Sequence, residues 1–85
     1  MVPVLTTIKF FAFLAEKTNK TEVKLNLQQC RTVGEVRELI SSEFPEIAID
    51  LSTCMLAVNM EFQQDQDVLP EKIEEIAVIP PVSGG

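Results

Sequence analysis

With 85 residues, 46% of them hydrophobic, the chain supports one core, which removes about 60–65% of the unfolded surface from water. A formal charge of −6 excludes a binder of nucleic-acid backbones, because such binding rests on Lys and Arg neutralising phosphates, and favours partners with basic surfaces. Histidine is absent, so the commonest general base and the imidazole of a Cys/His metal site are both missing.

The opening MVPVLTTIKFF has neither a basic n-region nor a small-residue cleavage site. Residues 4–11 (VLTTIKFF) alternate, with Ile8 and Phe10 on one face and Lys9 and Phe11 on the other, and predict a strand. Residues 12–17 (AFLAEK) lose that alternation and favour a short helical turn, after which Thr18, Asn19 and Lys20 supply turn chemistry. Val23, Leu25 and Leu27 then alternate with Glu22, Lys24 and Asn26, predicting a second strand over 21–27 that pairs with the first. Lys9, Glu16 and Lys17 interrupt the longest apolar stretch well short of the roughly 18 residues a membrane span requires. The protein is therefore expected to be soluble and cytoplasmic.

Thr32 and Glu35 form a capping-box pattern. Val33, Val36, Leu39 and Ile40 follow at helical spacing, with Phe44 a turn further on, and Pro45 forbids continuation. One apolar stripe means that this helix packs on a sheet. Residues 45–53 read as a loop, and MLAV (55–58) as a strand with Leu56 and Val58 on one side. Asn59, Met60 and Glu61 form a tight reversal into Phe62 and Gln63, and QQDQD (63–67) reads as a solvated loop or edge. IEEIAVI (73–79) is the last strand. Pro80 and Pro81 cannot donate to a ladder and stiffen the chain into an extended form, so Val82, Ser83, Gly84 and Gly85 are expected to leave the domain as a flexible tail.

A hairpin, a helix across the sheet and a final strand returning to the middle describe an α+β domain of the β-grasp, ubiquitin-like class: a mixed sheet packed against one main helix. The folded part is expected over 1–81 and the tail over 82–85. Cys30 and Cys54 form no CxxC pair and read as buried or half-buried thiols in a reducing compartment. No metal site is expected.

Four segments, IKFFAFLAE, TVGEVRELISSEFPE, LAVNMEF and IPPVSGG, together span nearly the whole chain and resemble the sulfur-carrying small subunits of molybdopterin synthase. IPPVSGG is the most specific of them, since a bare Gly-Gly end is shared with ubiquitin-like modifiers and thiamine-type sulfur carriers. The sequence departs from that family at EKIEE (71–75), where a Gly-Asp turn is usual, and at Ala15, where many bacterial members have arginine. The resemblance implies that the Gly85 carboxylate is the reactive group. An adenylating enzyme of the ubiquitin-activating type would consume ATP to activate it and then convert it to a thiocarboxylate. No bound cofactor is expected. Sulfur would pass to a cyclic pyranopterin precursor held by the large synthase subunit, in an assembly of two small and two large subunits.

The tail also makes chemical sense by itself. Two glycines, lacking Cβ, let the backbone lie in a channel too narrow for other residues. Pro80 and Pro81 hold that backbone away from the domain at reduced entropic cost. A sheet covered on one face by a helix leaves the other for partners, and the resemblance puts a hydrophobic interface at Phe11, Phe62 and Ile79. Two other readings differ in class: a modifier conjugated to lysines through Gly85, and an interaction module whose glycine end is incidental.

Overall fold

The computed structural model describes residues 5–81. Strands β1 (Leu5–Phe10), β2 (Glu22–Asn26), β3 (Met55–Val58), β4 (Glu61–Gln63) and β5 (Glu75–Ile79) form one sheet in the order β2-β1-β5-β3-β4. β1 and β5 run parallel in the centre, and every other neighbouring pair is antiparallel. The last strand thus returns to the middle, as the element order requires of a β-grasp. Helix α1 (Phe13–Thr18) links β1 to β2, while α2 (Val33–Glu43) is the main helix.

The core lies between α2 and one face of the sheet. Ile8 and Phe10 of β1, Leu56 and Val58 of β3, and Ile76 and Val78 of β5 meet Val33, Val36 and Ile40 of α2. The period-2 and helical patterns in the sequence supply these residues directly. Phe44, just past α2, packs edge-on against Phe10 with ring centroids 5.2 Å apart.

The capping box forms in both halves. The Thr32 side chain accepts from the Glu35 N–H, and the Glu35 carboxylate accepts from the Thr32 N–H at 3.1 Å and also from the Arg31 N–H at 2.6 Å. Those backbone N–H groups, Arg31 first and then Thr32, hold the Glu35 carboxyl below the ordinary carboxylate range.

Two stretches differ from expectation. Residues 45–53 are not a plain loop: Pro45–Ile47 make a 3₁₀ turn that runs into α3 (Ala48–Leu51), and Ile47 and Leu51 are fully buried. Pro45 sits at the first helical position, where its missing N–H costs nothing, and Ile47 and Leu51 are four apart on one face. Nor is 63–67 simply solvated. The Asp65 and Asp67 carbonyls accept from the Gly34 and Val33 N–H groups at 2.9 and 3.0 Å, satisfying donors that the first turn of α2 leaves free. A Cβ on Gly34 would stand 3.2 Å from the Asp65 carbonyl oxygen, so glycine permits this close approach. Arg37 ties the same loop to α3: its guanidinium donates to Asp65 Oδ1 and to the carbonyls of Leu51 and Cys54.

The reversal at Asn59 and Met60 is a two-residue hairpin turn with φ of 50° and 70°, the primed geometry that matches strand twist. Asn59 also fixes the EKIEE segment without a glycine. Its Oδ1 accepts from the N–H groups of Glu74 and Glu75, and its Nδ2 donates to the Lys72 carbonyl. Ala15, the other departure from the family pattern, is half-buried against the core.

Candidate functional site

Because β1 and β5 are parallel and pair Phe10 with Val78, they end at the same side of the sheet. One residue further on, Phe11 and Ile79 turn to the face opposite α2. Met55 is paired with Ile79 on the other flank, so the row Phe11, Ile79, Met55 crosses three strands. One step along, Lys9, Ala77, Ala57 and Phe62 are successive partners on that same face. The two alanines make a low floor beside the larger side chains.

The three residues expected at a docking surface therefore share one face. Phe11 is 46% exposed, Phe62 61% and Met55 49%, with Ile79 half-buried. Met55 was not singled out from the sequence, although the alternation in MLAV already sends it opposite Leu56. The other half of the face is polar, with Lys9 and Glu75 paired at 3.2 Å.

Phe11, Ala12, Ile79, Pro80 and Pro81 line an apolar depression of about 330 Å³. Here β1 turns into α1. The Leu14 N–H donates to the Phe11 carbonyl at 3.1 Å, closing a turn whose second residue, Ala12, has φ 54° and ψ −132°. That is the first central position of a type II′ turn, where glycine is favoured, and an L-residue held there costs about 1–3 kcal/mol. The expected reactive end, Gly85, lies outside the described residues with Gly84, Ser83 and Val82; Pro81 is part of the wall of this depression.

Cys30 is half-buried and Cys54 buried, and both are free. Burial pushes both thiols up. Glu35 adds to the shift at Cys30 and Asp50 at Cys54, where Arg37 partly opposes it. Neutral thiols of this kind are poor nucleophiles. Among the described residues, no helix is long and apolar enough to cross a membrane.

The ThiS family model matches residues 8–85. The chain is 37% identical over 81 residues to the molybdopterin synthase sulfur carrier subunit of Dictyostelium discoideum, covering 92% of this chain and 93% of that one. Among solved structures, SAMP1 from Haloferax volcanii superposes with a TM-score of 0.76 at 23% identity, covering 96% of this chain and all of the other. One chain of the complex of subunits 1 and 2 of the molybdopterin-converting factor from Helicobacter pylori matches with a TM-score of 0.63 at 19% identity, covering 96% of this chain and all of the matched one. At these identities the two structures show a shared fold.

Proposed function

The chain belongs to the ThiS family, and from that membership we propose that it is a sulfur carrier for molybdenum-cofactor synthesis, with the Gly85 carboxylate as the carrying group. The name of its Dictyostelium relative supports the pathway. The observation that carries the reading is a coincidence of position: the chain leaves through Pro80 and Pro81 beside the apolar row Phe11, Ile79 and Met55. A partner seated on that row lies where it can receive the tail.

The chemistry follows from the weakness of a carboxylate as an electrophile. Attack of the Gly85 carboxylate on the α-phosphate of ATP, in an adenylating enzyme of the ubiquitin-activating type, gives an acyl adenylate and releases pyrophosphate. A sulfide equivalent then displaces AMP and leaves a thiocarboxylate. This softer anion attacks a carbon centre of the pyranopterin precursor, forming a carbon–sulfur bond as the carbon–oxygen bond there breaks and the oxygen substituent leaves. Hydrolysis of the resulting acyl–sulfur bond leaves the thiol on the product and regenerates the carboxylate. The chain supplies the reagent and its delivery; the large synthase subunit supplies the remaining side chains, in an assembly of two small and two large subunits. Two unpaired cysteines accord with a reducing cytoplasm as the place of reaction.

Intact mass tests the reading. After incubation with the activating enzyme, ATP and a sulfur source, the chain should gain the difference between one sulfur and one oxygen. Deleting Gly85, or appending a residue after it, should cut molybdopterin formation by about 100-fold or more, because the reactive group is misplaced or replaced. Large-subunit binding should persist. Normal molybdopterin formation by either variant would overturn the mechanism, and accumulation of lysine conjugates in place of free thiocarboxylate would make the chain a modifier.

A further inference from the structure

We propose that Ala12 is a positioning residue for the sulfur-carrying tail, its methyl group serving as a fixed buttress at the point where the chain leaves the domain. The proposal rests on the carrier reading above. The parallel register ends with Phe10 beside Val78, two residues before Ala12 along one segment and Pro80 along the other. It lines the same depression as Pro80 and Pro81.

Ala12 keeps a positive φ of 54° at a turn position that glycine occupies without strain. A residue held in so sparsely populated a region persists only where its surroundings over-determine it. Glycine would relax the turn but remove the only side-chain atom that Ala12 presents to the depression. The leverage is large. Gly85 lies four residues beyond Pro81, a reach of at most about 14 Å, so a small change in the direction of departure would displace the reactive end by several ångströms at full extension. Pro80 and Pro81 fix their own φ angles; what remains to be set is how that stiff pair leans on the domain, and Ala12, exposed on the wall of the same depression, is the side chain assigned to limit it.

Ala12→Gly and Ala12→Ser separate the methyl from the turn. Ala12→Gly should melt at or above the wild-type temperature and bind the large subunit with unchanged affinity. In a single turnover with the thiocarboxylated chain and precursor-loaded large subunit, it should transfer sulfur about tenfold more slowly. Ala12→Ser, which keeps a Cβ, should retain the wild-type rate. A second readout needs no sulfur chemistry: ¹³C relaxation at Pro80 and Pro81 in the free chain should report larger-amplitude motion in Ala12→Gly than in the wild type or Ala12→Ser. Prolines equally ordered in all three proteins, or a wild-type transfer rate in Ala12→Gly, would overturn the proposal. A wild-type chain that never acquires a thiocarboxylate would instead overturn the carrier reading, and the relaxation experiment would still decide whether Ala12 steadies the exit.

Discussion

Asn59 concentrates several jobs in one side chain. Its φ of 50° is one that asparagine tolerates better than most residues, and its amide accepts from Glu74 and Glu75 while donating to Lys72. Asn59→Ala should cost about 2–3 kcal/mol, combining the left-handed penalty with lost hydrogen bonds of about 1 kcal/mol each. Asn59→Asp keeps the accepting oxygen and loses the donor, so it should cost about 1 kcal/mol. Urea unfolding of the two variants checks the ordering, and equal losses would mean that the accepting oxygen contributes nothing. The reversal at Asn59 was legible because Asn-Met-Glu between two apolar runs has turn chemistry. Its bonds to residues 72–75 were not, since they join segments more than a dozen positions apart.

The main helix shows how local and distant terms meet in one element. The capping box was readable from Thr32 and Glu35 alone, and the N–H groups of Arg31 and Thr32 hold the Glu35 carboxyl low. A carboxyl lowered in the folded state adds stability that is complete above its unfolded pKa and is lost as pH falls through the folded one. Glu35→Gln removes the charge but not the shape. The stability difference between wild type and Glu35→Gln, present at pH 7, should therefore shrink as pH falls below about 4. Chemical denaturation across that range measures it; a difference independent of pH would show that the charge on Glu35 is immaterial. The same helix also depends on what no local pattern announced. Its first-turn donors are satisfied by carbonyls of 65–67, a stretch whose composition reads as solvent-facing, and Arg37 reaches both that loop and the end of α3.

At the scale of the molecule, the sheet is two-sided. α2 covers one face; the other splits into the ion-paired half around Lys9 and Glu75 and the apolar half around Phe11, Ile79, Met55 and Phe62. A charge placed in the apolar half stays hydrated in the free chain and is buried unpaired in a complex, at a cost of about 3–5 kcal/mol. Phe62→Glu and Met55→Glu should each weaken large-subunit binding by about 100-fold or more, since 1.4 kcal/mol is tenfold, with little change in melting temperature. Binding measured by calorimetry beside thermal unfolding checks this. Equal losses in both would assign Phe62 and Met55 to stability of the free domain and not to docking.

The sequence alone determined the strands and the capped main helix, and it displayed the Pro-Pro-Val-Ser-Gly-Gly end. Each is carried by a pattern within a short window: alternation, helical spacing, a capping box, a run of consecutive residues. It also separated Ile8 and Phe10 from Phe11 by face, because successive side chains of a strand must point opposite ways. Only the tertiary structure decided that 45–51 is helical, where two buried isoleucine and leucine side chains outweigh weak local signals. Likewise, only it revealed that 63–67 closes the start of α2, that Met55 joins the apolar row, and that Ala12 lines one depression with Pro80. The physical reason is common to all four. Each depends on a register or contact between segments distant in the chain, and such pairings are set by which faces can be buried together, a quantity that no single window contains.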